Sequence, residues 1–284
     1  MPTRAKRQRP RRGGRVARTR QDQETSGTAS RSLPIIVALS KLELLDAAEI
    51  EQIHEASIEI LARTGVVFRS ADAIKHFRRM GARCEGDRVF IDEALVSHAL
   101  ASAPAEYTLK ARSAENSVTI GGNHCAVMPG GGPPFVRGLD GQRRAGTLAD
   151  VEQLTRICAM APEIHVVGRK PVEAQDIPVG TRHLHCWRVI LTLADKPVQS
   201  GFVNGKEESM DALEMLAIVF GGEAALREQP VAHCSVNVNS PLVYDTAMVE
   251  SLLTFARYGQ VNLISPFVMA GVTGPTTLAG ALAL

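Results

Sequence analysis

Four short apolar, β-branched runs recur between residues 164 and 268 at a nearly constant interval, and that interval leaves the chain very few folds to choose from. They are 164–168 (IHVVG), 198–203 (VQSGFV), 231–238 (VAHCSVNV) and 261–268 (VNLISPFV), with first residues 34, 33 and 30 positions apart. Between and before them lie segments with polar starts and helical spacing, at 147–160, 179–194, 207–220 and 245–258. Runs too continuous for one-sided strands, alternating with helices at this period, describe successive β-α units and a parallel sheet covered by helices.

An open nucleotide-binding sheet would carry a G-x-G-x-x-G turn or a P-loop between strand and helix. Neither is present, and the Gly130-Gly131-Gly132 run leads into Pro133-Pro134 and a strand-like segment rather than a helix. The closed barrel fits better. With 125–128 as a first strand the count reaches about five, whereas a (β/α)8 barrel needs eight strands and typically ~250 residues. About 160 residues follow position 124, and the sequence given ends on AGALAL at 279–284, inside a new helical pattern. The expected fold is therefore α/β: an incomplete (β/α)8 TIM-type barrel over 124–284, preceded by an N-terminal helical region.

Residues 33–123 read as that helical and hairpin region. Asp46 with Glu49 three positions on makes a capping-box pattern, and Ile50, Ile53, Ile60 and Leu61 keep helical spacing until Gly65. A second helix is predicted over 71–80, closed by Gly81, and a third begins at Asp92 and ends before Pro104. Polar and apolar residues alternate over 107–120, as in a half-buried hairpin.

Charge is unevenly placed. Nine of the 32 Lys and Arg residues fall within positions 1–20, with no acid among them, leaving 23 basic against 30 acidic residues, or about −7, for the remainder. A block of like charge with so little to bury reads as a disordered tail, 1–32. Such a tail can serve as an arm for nucleic acid or an anionic membrane; the plainer reading is a solvated leader. No basic stripe with stacking aromatics follows it, so no nucleic-acid partner is expected. There is no apolar stretch of 18 residues, and the seven-residue run 33–39 (LPIIVAL) lacks a small-residue cleavage site, so it reads as a packed segment and no membrane partner is expected. Cys84, Cys125, Cys158, Cys186 and Cys234 are odd in number and widely spread, which points to reduced thiols in the cytoplasm.

In barrels the site lies where strands end. The candidates are accordingly Pro129 to Gly132, Arg169, the turn 201–204, the NVNSPL stretch from Asn237 through Asn239 and Ser240, and 266–271. Asn237 and Asn239, two apart, share a side of an extended strand and offer uncharged donors and acceptors. They suit a polar ligand, though Asn and Ser also satisfy loop backbone at strand ends. The three glycines admit either close approach of a flat ligand or a tight turn. Phe135, Phe202 and Phe267 are the aromatics near strand ends, able to face a cation or to pack in the core. His183, His185 and Cys186 share a predicted helix, where positions two apart face different directions, and with His233 and Cys234 they match no zinc spacing, so no metal site is expected. Neither a G-x-S-x-G elbow nor any other nucleophile or general base stands out, and the catalytic residues stay unassigned.

The strings LDAAEIEQIHEASIEILARTGV (45–66), VMPGGGPPFV (127–136), AGTLADVEQLTRI (145–157), ADKPVQSGF (194–202), VNVNSPLVYD (236–245) and SPFVMAGVTGPTTLAGALA (265–283) together resemble the trimethylamine methyltransferase family. The likeness runs in order from about residue 40 to the end. It implies a corrinoid-dependent enzyme that binds a methylated amine, trimethylamine or a quaternary amine such as glycine betaine, and passes one methyl to Co(I). The corrinoid (cobalamin) would be carried by a separate cognate protein, with no cofactor bound directly. The glycine run, Phe135, Phe202, Asn237, Asn239, Ser240 and Phe267 would then line the substrate site. Family members continue well past residue 284, where the pyrrolysine of the trimethylamine enzymes would fall; this chain reads as a non-pyrrolysine member, truncated at its C-terminus. The other reading is a non-catalytic half-barrel that binds a partner supplying the remaining strands. Homo-oligomerisation is a prior only.

Overall fold

The computed structural model describes residues 31–37, 43–168, 170–200, 204–239 and 242–284. Most of the basic tail thus lies outside the described residues; its last residue, Ser32, is buried and donates its backbone N–H to Asn116 Oδ1 at 2.9 Å. The next residues form a short strand, β1 (Ile35–Ile36). Leu33, Ile36 and Val37 are exposed, so this part of the segment expected to pack through its apolar side chains is held by its main chain instead. Residues 38–39 are outside the described set.

Helix α1 (Ala47–Glu59) starts on the expected capping box, with Glu49 N–H donating to Asp46 Oδ1 and Asp46 N–H to Glu49 Oε2. A π-helical turn over Ile60–Thr64 leads to Gly65, whose φ of +71° and 2.7 Å approach of a would-be Cβ to Val89 O both demand glycine. Next come β2 (Val66–Phe68), α2 (Ala71–Arg79), β3 (Arg83–Glu85), β4 (Arg88–Phe90) and α3 (Glu93–Ser102), the helices capped by Ser70 and Asp92. The expected hairpin is β5 (Glu106–Leu109) with β6 (Val118–Gly121), extended by β7 (His124–Cys125) and β1 into a four-stranded sheet. A small separate hairpin, β8 (Phe135–Arg137) with β9 (Arg143–Ala145), precedes the repeating part.

That part runs α4 (Leu148–Met160), β10 (Val167–Gly168), α5 (Val179–Leu193), β11 (Val198–Ser200), α6 (Gly205–Phe220), α7 (Glu223–Glu228), β12 (Ala232–Val238), β13 (Val243–Tyr244), α8 (Thr246–Arg257), β14 (Val261–Pro266) and α9 (Leu278–Ala283). Strands β10, β11, β12 and β14 lie parallel and in sequence order. The expected strand at 125–128 does not join them. Cys125 pairs antiparallel with Ile35, because the turn after Gly121 folds β7 back onto β6; Val127 reaches the residues before β10, its carbonyl accepting from His165 N–H at 2.8 Å and its N–H donating to His165 Nδ1. The parallel sheet therefore has four strands among the described residues rather than five.

Register assigns the two faces. Val167, Val198, Ala232, Cys234 and Val236 share one side and belong to a single core with Trp187 and Ile190 of α5, Leu213 and Leu216 of α6 and Phe255 of α8. The other side carries Gly168, Gln199, His233, Ser235, Asn237, Val261, Leu263 and Ser265. A second, smaller core joins β2 and α2 to Val249 of α8, with β13 adding a parallel strand beside β2 and the Tyr244 ring stacked on Phe68 at 4.7 Å.

Buried polar side chains join the layers. Lys196, 2% exposed, donates from Nζ to the carbonyls of Cys158, Ala161 and Ile164, closing the end of α4 against the entry to β10. Gln260 accepts from the N–H groups of Val231 and Ala232 and donates to Leu226 O, fixing the entries of β12 and β14 together. His233 Nε2 meets Tyr107 Oη at 2.9 Å, tying β5 to the polar face of the sheet, the side away from the helices.

Two outcomes follow. Lys196→Met, which keeps the length of the side chain and removes its three donated bonds, should lower the free energy of unfolding by about 2–4 kcal/mol, read from urea denaturation. Burial pushes the His233 imidazole down from its ordinary 6.5 to about 4. Between those values the unfolded chain takes up a proton that the folded chain refuses, so stability is full above pH 6.5 and falls as pH drops, by up to about 3 kcal/mol. His233→Gln should flatten that part of a stability-against-pH curve; an unchanged slope would assign it to other groups.

Candidate functional site

The ends of the four parallel strands are set by what must happen after each. Beyond β10 the chain turns through Lys170, which holds a φ of +42°. Its carbonyl accepts from Gly132 N–H at 2.9 Å, Glu173 N–H donates to Pro133 O, and Gly146 N–H donates to Pro134 O. The Glu173 carboxylate sits between Lys170 and Arg182, both about four-fifths buried. The glycine-proline segment is thereby fastened across the mouth of β10. Gly132 needs its φ of +93°, and a Cβ added at Gly130 or Gly132 would meet nothing within 4 Å, so this rim is open above its backbone.

Phe135 sits on β8 with the Arg143 guanidinium 3.8 Å above its ring, so one face is already engaged by a cation. The β8–β9 hairpin is anchored in turn by Arg144, which makes two 2.6 Å bonds to the Asp150 carboxylate at the start of α4. The Arg144 guanidinium, with Thr147, holds that carboxyl far below the usual carboxylate range. Phe202, Ser240, Arg169 and the 201–203 part of the next turn lie outside the described residues.

At the end of β12 the two asparagines part company. Asn237 stays in the ladder opposite Ser265, exposed on the polar face. Asn239 leaves it, bridging to Val243, and its Nδ2 donates to Asp245 Oδ2 at 2.6 Å; Asp245 also caps α8. Asn239 thus satisfies the loop. Phe267 N–H donates to Val238 O at 3.3 Å, which brings the exposed Phe267 beside the two asparagines. Asn237, Asn239 and Phe267 therefore form one group across β12 and β14, while the glycine run and Phe135 form another at β10.

Reading the strands as continuous apolar runs missed the side chains below Asn237. His233 and Ser235 precede it on the same face, and Gln199 of β11 donates from Nε2 to Ser235 Oγ at 2.8 Å. The signal was present as period-2 alternation in AHCSVNV, where His, Ser and Asn interleave with Cys and Val. No carboxylate, lysine or arginine belongs to the described part of this face, and His233 stays neutral near pH 7. Cys234 points to the opposite side, where burial pushes its thiol up to about 12. Cys186 is likewise buried and raised to about 11, and His183, one turn earlier on α5, binds Asp211 Oδ2 at 2.8 Å. Among the described residues no three His, Cys, Asp or Glu side chains gather as a metal site would require, and no helix is long and apolar enough to cross a membrane.

The wall so built can hold a polar ligand by neutral hydrogen bonds and offers no proton donor or nucleophile of matched strength. Comparison with known proteins places it. The family model described as trimethylamine methyltransferase matches residues 11–284. A glycine betaine methyltransferase of Desulfitobacterium hafniense is 41% identical over 246 residues, which cover 87% of this chain and 51% of that protein. A trimethylamine methyltransferase of the same species is 34% identical over 238 residues, covering 82% and 47%, and a proline betaine:corrinoid methyltransferase of Eubacterium limosum is 24% identical over 242, covering 82% and 49%. The chain spans about half the length of the curated relatives it matches. On a sequence match over almost its whole length, the chain belongs to the trimethylamine methyltransferase family.

Proposed function

We propose that this chain forms part of an enzyme that takes one methyl group from a quaternary methylated amine of the betaine class and delivers it to the Co(I) of a corrinoid on a separate protein. The observation that carries this reading is the uncharged inner wall of Gln199, His233, Ser235, Asn237 and Ser265, in a chain 41% identical to a glycine betaine methyltransferase. When a quaternary ammonium gives up a methyl, the C–N electron pair stays on nitrogen and a neutral tertiary amine departs. That leaving group needs no proton. A tertiary amine donor must carry a proton before its nitrogen can leave, and no acid lies on the described part of this wall to hold that proton in place.

The acceptor supplies the electron pair that forms the new bond to carbon. What the protein does is orient one methyl toward the mouth of the strands and keep water away from the reacting atoms. The open flank above Gly130 and Gly132 suits the approach of a broad, flat acceptor, since no side chain projects there. We further propose that the four β-α units are consecutive members of a (β/α)8 barrel. Two features support this: strand order without reversal, and helical cover on one face only. The polar face is then the barrel interior.

Incubating the native polypeptide with cob(I)alamin and a methylated amine tests the reading by the change in the cobalamin absorption spectrum. Glycine betaine should give methylated cobalamin and an equal amount of dimethylglycine, and trimethylamine little or none. Absence of transfer from every methylated amine tried, by a folded protein, would overturn it.

A further inference from the structure

Within the wall, the side chains differ in what is left free to bind. Gln199 is 1% exposed, and while its Nε2 donates to Ser235 Oγ, its Oε1 finds no partner among the described residues. An amide with an unsatisfied atom at that depth is costly, and it is kept in place by the serine it contacts. Ser235 accepts that bond through Oγ and is only half-buried, so its own O–H remains to donate into the space above the sheet. Asn237, two residues on and about 7 Å nearer the mouth, adds an amide on the same face that makes no hydrogen bond among the described residues. Phe267 stands at about the same distance again beyond Ser265, the strand neighbour of Asn237.

Two neutral donors follow one another on the same face of β12, below an exposed aromatic and with no cation on the described part of that face. We propose that Ser235 and Asn237 form the subsite for the carboxylate of a betaine donor, with Gln199 as the positioning residue that aims the serine hydroxyl. This rests on the proposed methyl transfer and adds the orientation of the donor: carboxylate toward Ser235, trimethylammonium toward Phe267 and the mouth. A carboxylate bonded between Ser235 and Asn237 leaves the ammonium group one carbon away on the mouth side of the pair, still below the level of Phe267. Hydrogen bonds from neutral groups to a carboxylate are charge-assisted and orient both of its oxygens.

The test uses the native polypeptide and two probes, glycine betaine and tetramethylammonium, the second lacking a carboxylate. Ser235→Ala removes one donor, and Asn237→Asp, at an exposed position, sets a negative charge against the carboxylate. Calorimetric titration should show the glycine betaine Kd rising about tenfold to a hundredfold in each variant. The preference for glycine betaine over tetramethylammonium should shrink in both, with the urea midpoint unchanged in Asn237→Asp and lowered in Ser235→Ala, which leaves the buried Gln199 amide without its partner. A glycine betaine Kd within twofold of the parent in both variants would overturn the subsite, as would equal weakening of both probes or a parent protein with no preference. Methyl transfer from glycine betaine to cob(I)alamin, measured on the parent alongside, separates the two claims. If transfer persists while the variants bind normally, the subsite is wrong and the methyltransferase reading stands.

Discussion

A strand inside a parallel sheet cannot choose where its side chains go: the hydrogen-bonded ladder sends alternate residues to opposite faces. Once β11, β12 and β14 are in register, Val198, Cys234 and Val236 must meet the helices, and Gln199, His233, Ser235 and Asn237 must not. Slipping β12 by one residue would drive His233 and Ser235 into Trp187 and Leu213 and expose the apolar set. Desolvating those polar groups without partners would cost several kcal/mol. Everything functional in this chain depends on that register. The same alternation that buries the core presents the polar wall.

The register is protected where the repeating units begin. Parallel strands need long crossovers, and each crossover leaves carbonyls at a helix end and amides at a strand start without partners. Here single buried side chains satisfy several of them at once. Lys196 takes three carbonyls around the end of α4, and Gln260 takes two amides at β12 and three carbonyls around α7 and α8. His165 accepts from Val127 N–H through Nδ1 and contacts Leu33 O through Nε2, holding the N-terminal sheet to the start of β10. Rigid strand starts leave the opposite ends, with their positive-φ residues Lys170 and Leu242, free to serve as loops for a site.

Much of this could be read from the residues themselves, for identifiable reasons. Capping at Asp46, Asp92 and Thr147 is local chemistry, and the structure has all three. The repeat near 33 residues set the order and direction of four strands because each unit buries its own apolar run. The segment at 125–128 failed because short apolar runs do not say with which strand they pair, and the turn at 121–123 decided that for β7. Asn239 was grouped with Asn237 on spacing alone; its bond to Asp245 arises from the chain's departure from the ladder, which spacing does not encode. Gln199 was passed over because a lone amide in VQS gains meaning only when Ser235 is placed beside it by a strand 36 residues away.

The proposed chemistry gives a reason for such a wall to avoid charge and rely little on aromatic caging. In transfer from a quaternary ammonium, the positive charge on nitrogen fades as the C–N bond breaks. Any contact that grips that charge is strongest in the ground state and raises the barrier, whereas only contacts stronger in the transition state accelerate the step. The carboxylate of a betaine keeps its charge throughout. Holding the donor by that end leaves the barrier untouched by the grip and still fixes the direction of the methyl. Phe135 already carries Arg143 on one face, and Phe267 is exposed at the rim, so neither is built into an aromatic cage among the described residues. A donor anchored from below by Ser235 and Asn237, and held only lightly above, is the arrangement that this electrostatic asymmetry favours.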